Sequence, residues 1–455
     1  MLLRTPTNTL PLIVFAVGGV ITLALFSTYF YMAGGVGIYS DGIGYYAPLR
    51  SLVFDGNLDV SNEYQYFAVS VSRLSGEVRW PFPIPQYSKY TIGMAVVLSP
   101  FFFAGHIFTL LLQRLGVPIA ANGLSWPYEF FYGTGSAVLG ICGMYLSYRA
   151  AKTRFGSFSA VVATVGVWFA SSIFYYLAIV PSMSHAVSQF LVSAFLYLTL
   201  TRDWLAEKRT GLLMGFILGL ATLVRPQDVF FIVVPLCLAL LKWKGDSKVV
   251  LKDLAALCRI GCIVALIAMF QVLVYKIQFE ELSRIPYLIE GATDQRVTSF
   301  DWAHPQVASV LFSGFHGLFS WHPILLVSIL GAVWSIRTHR QFIALLLAFF
   351  LQVYLISSWY NWWQGASFGG RMFSNCNFIF VMGLASLWSR ARIPLVRQVA
   401  VLLTSGCIVW NILLVMQYVS RMIPAEEPLL MKQIIMNQFN VLPFFLARFI
   451  GRPSC

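Results

Sequence analysis

The chain has 455 residues, of which 58% are hydrophobic and only 11% charged, and its formal net charge is +13. Soluble globular domains carry about 25% charged residues, so a soluble fold of this length is excluded. The Lys and Arg residues gather in short loops between long apolar runs, which is the positive-inside pattern of a membrane protein and not a nucleic-acid-binding face.

Apolar runs fall at 10–33, 91–112, 127–148, 157–180, 185–201, 210–224, 228–241, 254–275, 316–336, 341–358, 372–388 and 398–419. Most are long enough to cross a hydrocarbon layer about 30 Å thick. Backbone groups in lipid must be satisfied internally, and the alternating segments of roughly 10 residues that mark a barrel do not occur. The expected fold class is therefore all-α: a polytopic membrane protein of about eleven transmembrane helices plus interfacial helices. The first run follows Arg4 and is too long for the apolar core of a secretory signal, so it reads as an uncleaved span. Cys142, Cys237, Cys258, Cys262 and Cys407 lie in or beside apolar runs without CxxC spacing and read as small buried residues.

The intervals between runs sort into two kinds. One is short and basic: Arg149, Lys152 and Arg154; Arg202, Lys208 and Arg209; Lys242, Lys244, Lys248 and Lys252; Arg337 and Arg340; Arg390, Arg392 and Arg397. The other is longer and richer in aromatics, Gly, Pro and acids: 34–90, 181–184, 276–315, 359–371 and 420–455. If the N-terminus is cytoplasmic and 91–112 crosses, every basic loop falls outside, against the positive-inside rule. Either 91–112 is an interfacial or re-entrant helix within one external segment, 34–126, or it crosses and the N-terminus is external. Pro83, Pro85, Pro100 and His106 favour the interfacial helix. The expected organisation is then a transmembrane domain over 1–419, with external loops at 34–126 and 276–315. A C-terminal external or membrane-surface segment, 420–455, follows it. The expected location is a bacterial inner membrane, N-terminus cytoplasmic, C-terminus external.

Chemistry-bearing residues concentrate in the second kind of interval. Asp41 sits where the first span leaves the membrane. Tyr45, Leu49, Leu52 and Phe54 can form the apolar stripe of a short surface helix, with Gly56 ending it. An acid at that lip can meet a substrate whose lipid stays in the bilayer; it can equally be the N-cap of the helix. Lys89 precedes the 91–112 run and either binds an anion or snorkels. Arg225 is a cation at a helix end free of other basic residues, which invites a functional reading; a simple ion pair with Asp228 is the alternative. Arg371 closes a Gly-rich aromatic loop, where a guanidinium suits phosphate. Tyr360, Trp362 and Trp363 in that loop either stack on a sugar or belong to an interfacial aromatic belt. His185 either touches substrate or merely starts a helix. The loop 276–315 holds Glu280, Glu281, Glu290, Asp294 and Asp301 with Arg284 and Arg296, and its spacing singles out none of them.

Several of these stretches resemble the GT-C superfamily of membrane glycosyltransferases, which includes protein O-mannosyltransferases, aminoarabinose transferases and lipopolysaccharide-core transferases. An Asp after the first span, then a short helix ending in Asp55-Gly56-Asn57-Leu58-Asp59, is one such feature. Tyr87-Ser88-Lys89-Tyr90-Thr91-Ile92-Gly93 resembles the family's K-x-P-L/I-G start of the second interfacial helix. His316-Gly317-Leu318-Phe319-Ser320-Trp321-His322-Pro323 resembles a G-L-F-x-x-x-P opening of a later span. Trp359 to Arg371 resembles a W-W-G-G-x-S-F-G-x-R loop.

The resemblance implies an enzyme that moves a sugar from a polyprenyl-phosphate donor to a hydroxyl on a lipid, glycan or protein at the external, periplasmic face. It implies inversion, with Asp41 as base, Lys89, Arg225 and Arg371 on the donor phosphate, and Tyr45, His185, Tyr360, Trp362 and Trp363 on sugar or acceptor. Asp41 is followed by Gly42 where the O-mannosyl and aminoarabinose transferases typically have Glu. The 181–184 loop, Pro181-Ser182-Met183-Ser184, lacks the second acidic motif of oligosaccharyltransferase-type members, so a divalent metal is left unassigned. A transporter or flippase of lipid-linked saccharide, or a non-catalytic subunit of a cell-envelope complex, are the competing functions.

Overall fold

A computed structural model of the chain describes residues 9–75, 84–243, 247–280, 286 and 299–449. Among these residues the fold is all helical, with one isolated bridge between Phe300 and Trp359 as its only β-type pairing. Helix α1 (Leu10–Met32) starts with Pro11, whose missing N–H costs nothing in a first turn. It is followed by α2 (Asp41–Arg50), which continues as a π-helical turn, Ser51–Asp55, until Gly56 stops it in the left-handed conformation at φ 69°. The stripe expected there is partly realised: Tyr45 and Leu49 are buried, whereas Leu52 is exposed.

Next come α3 (Ser61–Ser75), α4 (Gly93–Arg114), α5 (Trp126–Phe155), α6 (Ser157–Phe169), α7 (Ser172–Ala178), α8 (His185–Thr201) and α9 (Lys208–Val224). A 3-10 segment, Pro226–Ile232, leads into α10 (Val233–Leu240), and α11 (Ser247–Phe279) follows. After the 281–298 interval come α12 (Val307–Phe312), the single turn α13 (Leu318–Trp321), α14 (Pro323–Ser335) and α15 (Gln341–Ser358). A second 3-10 segment, Arg371–Cys376, precedes α16 (Asn377–Trp388), α17 (Pro394–Val419) and α18 (Met431–Phe449). Among the described residues six helices are long and apolar enough to cross a membrane, seven if α6 and α7 are one bent span; the apolar helices 185–201, 226–240 and 323–335 are shorter.

Small residues set the tightest crossings. A Cβ on Gly219 of α9 would stand 2.6 Å from Ile267 of α11, and one on Gly383 of α16 would stand 2.1 Å from the Ser328 carbonyl of α14. In lipid, close backbone approach of this kind supplies the packing that hydrophobicity cannot.

The two ends of the bundle differ. The basic loops meet one another: Arg154 donates to the Leu200 carbonyl, Arg390 to Ser335, and Phe155 packs edge-on to His339. At the opposite end, where α1 finishes, several apolar runs are not the continuous helices that hydropathy predicts. The 157–180 run bends by 69° between α6 and α7. Asn411 of α17 donates to the Phe169 and Ser171 carbonyls there, satisfying the backbone that the bend releases. The 228–241, 316–336 and 372–388 runs likewise begin as 3-10 or single-turn segments before their α-helices.

The start and the middle of α4 both meet this same end of the bundle. Thr91 bonds to the Val224 carbonyl at the end of α9, and Gly93 lies against Leu223 so closely that a Cβ would be 2.2 Å away. Midway along α4, Gly105 and His106 pack on Pro127 and Tyr128, in the first turn of α5. That turn is fixed beside the end of α1, because Glu129 accepts hydrogen bonds from the Gly37 and Ile38 amides.

Arg50, buried, bridges Asp55 and Glu63 and donates to the Asn122 carbonyl, tying α2, α3 and the 115–125 loop together. Helix α18 buries Ile434 and Val441 and leaves Phe439 and Leu442 exposed.

Candidate active site

Asp41 is the first residue of α2, and the residue before it is strained. Ser40 has φ 55° and ψ −137°, a region that a non-glycine residue occupies only when its surroundings hold it there. The Glu129 carboxyl group supplies part of that hold by accepting from the amides of Gly37 and Ile38 at 2.8 and 3.0 Å. The N-cap alternative for Asp41 fails: Ser40 takes the cap position, no side-chain cap bond forms, and the Asp41 carboxylate turns to Arg371 at 3.1 Å.

Arg371 is delivered by a loop bolted at several points. Asn361 accepts from the Gly365 amide at 2.9 Å, Gln364 from the Met372 amide at 2.8 Å, and the Tyr176 hydroxyl from the Phe368 amide at 3.0 Å. Gly369, at φ 61°, lies so close to His322 that a Cβ would be 2.2 Å from Nε2; only glycine fits on both counts. Arg371 keeps 9% of its side-chain surface exposed against 30% for Asp41, so the carboxylate is the open side of the pair. The Nε and Nη1 groups of Arg371 are buried and make no hydrogen bond among the described residues. A buried guanidinium with unmet donors is able to take an anion.

Burial pushes the Asp41 carboxyl up, but the Arg371 guanidinium, the Tyr90 hydroxyl and the Lys89 ammonium outweigh it and hold the carboxyl below its ordinary value. Burial would likewise lower Arg371, and the Asp41 carboxylate more than reverses that, so the guanidinium stays charged.

Arg225 lies beside the same segment. It donates to the carbonyl of Met372, the residue after Arg371, at 3.3 Å, and to Gln227 at 3.2 Å, and its Nη1 is 3.3 Å from His185 Nδ1. The ion pair with Asp228 does not form. Arg225 is extended between α9 and the 3-10 segment, and Asp228 instead accepts from Ser188 at 2.6 Å and Asn375 at 2.8 Å. His185 does start a helix, α8, but it is buried, 3.4 Å from Ser374 and against the Tyr176 ring at 4.4 Å. Tyr45 accepts from Ser184 at 3.1 Å and packs on the Tyr90 ring at 4.5 Å. Lys89 is exposed and lies 5.3 Å from the centre of the Tyr90 ring.

The fold thus gathers Asp41, Tyr45, Lys89, His185, Arg225 and Arg371 at one end of the bundle. Tyr360, Trp362 and Trp363 belong to the Arg371 loop, and Trp362 and Trp363 pack on Phe315 and on each other. The Tyr360 amide bonds to Ser299, Trp363 stacks on Phe315 at 6.0 Å, and the Trp363 carbonyl meets His316 at 2.9 Å. Asp301 is half-buried and faces His304. Glu281, Arg284, Glu290, Asp294 and Arg296 lie outside the described residues.

Sequence reasoning passed over Tyr90, Tyr176, Gln227, Gln352 and Asn375. Gln352 stands out as an amide deep in the apolar 341–358 run, and it bonds to Gln227 at 2.9 Å. Tyr176, inside an apolar aromatic stretch, gives no such signal. Among the described residues no three His, Cys, Asp or Glu side chains converge, and the cation beside Asp41 is a guanidinium; these residues do not fit a divalent metal.

No protein-family model matches the sequence, and no curated protein is similar to it in sequence. Among solved structures, the chain is similar to ArnT from Cupriavidus metallidurans bound to undecaprenyl phosphate, at TM-score 0.53 and 12% identity. The similarity covers 98% of this chain and 77% of ArnT. ArnT in the apo state aligns at TM-score 0.49, with 12% identity, over 96% of this chain and 77% of that one. The fold is therefore GT-C-like, as the sequence motifs lead one to expect.

Proposed function

We propose that the protein is an inverting glycosyltransferase of the GT-C type, which moves a sugar from a polyprenyl-phosphate donor to a hydroxyl acceptor. The observation that carries this reading is the Asp41–Arg371 pair: an open carboxylate against a buried guanidinium with unmet donors, in a GT-C-like fold. The undecaprenyl phosphate bound by ArnT supports the donor class.

The chemistry follows from the charges. The acceptor oxygen attacks the anomeric carbon from the face opposite the phosphate, and the new C–O bond forms as the bond to the phosphate oxygen breaks. Asp41 takes the hydroxyl proton, which a carboxylate held ionised can do without first losing one of its own. The bonding pair leaves with the phosphate, and the buried Arg371, with Arg225 and Lys89 at the same end of the bundle, stabilises that charge. The products are the glycosylated acceptor and polyprenyl phosphate; Asp41 returns its proton to solvent through its exposed face.

The basic loops support a cytoplasmic position for their end of the bundle, which turns the site to the periplasm. The start and the middle of α4, both packed at the site end, support the reading of 34–126 as one external segment with the N-terminus cytoplasmic. Bacterial inner membrane is the matching location. A through-membrane path for a transported saccharide would need ionisable groups along the spans. Here Asp41, Lys89, Arg225 and Arg371 stand together at one end, which supports a one-sided active site.

The test is transfer by the purified protein in lipid from a panel of polyprenyl-phosphate sugars, with the anomeric configuration of the product read by NMR. The expected result is turnover with one donor and an inverted product. Binding of the donors without turnover across the panel would overturn the enzyme reading, and a retained configuration would overturn direct attack.

A further inference from the structure

A chain of amide side chains joins Asp228 to Arg225 and stands in place of the ion pair between them. Asp228 accepts from Ser188 of α8 at 2.6 Å and from Asn375 Nδ2 at 2.8 Å. Asn375 Nδ2 also reaches Gln352 Oε1, in α15, at 3.4 Å. Gln352 Oε1 accepts from Gln227 Nε2 at 2.9 Å, and Gln352 Nε2 donates to the Gln227 carbonyl at 2.9 Å. Gln227 Oε1 accepts from Arg225 Nη2 at 3.2 Å. Asp228, Asn375 and Gln352 are fully buried.

The groups around these amides force their orientation. A guanidinium has only N–H groups to offer, so Gln227 turns its oxygen to Arg225 and its Nε2 to Gln352 and to the Met372 carbonyl, 3.2 Å away. A main-chain carbonyl only accepts, so Gln352 gives its Nε2 to Gln227 and keeps its oxygen for Gln227 and Asn375. A buried network with its members satisfied in this way is rigid and specifies one arrangement.

That arrangement fixes Arg225 beside the residue that follows Arg371. The Met372 carbonyl accepts from Arg225 Nη1 at 3.3 Å and from Gln227 Nε2, while the Met372 amide donates to Gln364 at 2.8 Å. Arg225 spends three of its five N–H groups on His185, Met372 and Gln227. Its Nε–H and one Nη2–H make no hydrogen bond among the described residues. We propose that Gln352 and Gln227 are positioning residues for the donor: they hold Arg225 on the Met372 carbonyl and off Asp228, so that its remaining N–H groups meet the donor phosphate beside Arg371. This inference rests on the reading of Arg225 as a phosphate-binding group.

The test is undecaprenyl phosphate binding to the purified chain in lipid, as a double-mutant cycle of Gln352→Leu and Arg225→Met. Arg225→Met should weaken binding about tenfold or more, the worth of a hydrogen bond to a charged group. Gln352→Leu should weaken it about three- to tenfold, although its side chain lies behind Arg225 and Gln227. In the Arg225→Met background the same Gln352→Leu change should cost less than about twofold, because the side chain it acts through is gone. A purely structural role would give the same loss in both backgrounds. Gln227→Met should repeat the pattern, and it carries the cycle if a thermal melt shows that Gln352→Leu does not fold. If the Gln variants bind like wild type, or lose equally in both backgrounds, the positioning role is wrong and the phosphate reading of Arg225 stands. If Arg225→Met binds like wild type, both fall.

Discussion

The two ends of this helical bundle solve the same problem differently. At the basic end, helices such as α5 and α8 run to their loops with regular backbone, and the Lys and Arg residues sit beyond them. At the site end, α6 and α7 part at 69°, and 3-10 segments open the runs at Pro226 and Arg371. Ser40, His316 and Gln364 adopt positive φ there. Regular helix satisfies its own backbone, whereas broken helix at membrane depth needs side chains to do it. Asn411, Arg225, Gln352 and Trp410 donate to the Phe169 and Ser171, Met372, Gln227 and Trp321 carbonyls respectively. One end is built for crossing lipid; the other gives up regularity to bring one carboxylate and two guanidinium groups together.

The sharpest way to break that comparison is at Arg371. Arg371→Met should cost about 10²–10³ in kcat/KM, as loss of a charge-stabilising donor does. Asp41 would then keep its burial and lose its main counter-charge, so its carboxyl would rise. Asp41 acts deprotonated, and the acid limb of the residual activity should therefore move to higher pH. A pH–rate profile checks both.

Asn411→Leu should act on fold and not on chemistry. It leaves the Phe169 carbonyl at the bend unmet and the Ser171 carbonyl with only the Phe174 amide, at a cost of about 1–3 kcal/mol. A thermal melt in lipid should fall while donor KM stays.

Glu129→Ala frees the amides of Gly37 and Ile38 and with them the strained turn at Ser40. A kcat loss of about tenfold is expected from the misplaced Asp41, with substantial recovery in Glu129→Gln, which retains an acceptor oxygen. At the regular end, Arg390→Gln removes a cation 4.9 Å from the Trp334 ring. It should change stability by no more than about 0.5 kcal/mol and leave turnover alone.

The helical class and the alternation of basic and aromatic loops were legible because composition and charge report directly on the solvent around each segment. Asp41 and Arg371 were legible through the short motifs that carry them. The break between α6 and α7 was not: 157–180 is one apolar run, and the side chain that supports its bend, Asn411, is distant in sequence. Arg225 and Asp228 misled for a related reason. Three residues apart they look like helix neighbours, but extended and 3-10 backbone send them to different partners. Tyr90 stood inside a motif already noticed, and only the fold revealed that its ring packs on Gly44 and Tyr45 of α2. The aromatic residues Trp362 and Trp363 match the motif, yet they pack on Phe315 and each other.

The central claim, that Asp41 is the base of a lipid-phosphate-dependent glycosyl transfer, is tested most directly by sugar transfer with wild type and Asp41→Asn in lipid, undecaprenyl phosphate binding being measured on both. The account predicts binding retained and turnover reduced by at least about 10²-fold, the share that a general base contributes. Equal turnover in the two proteins would contradict it.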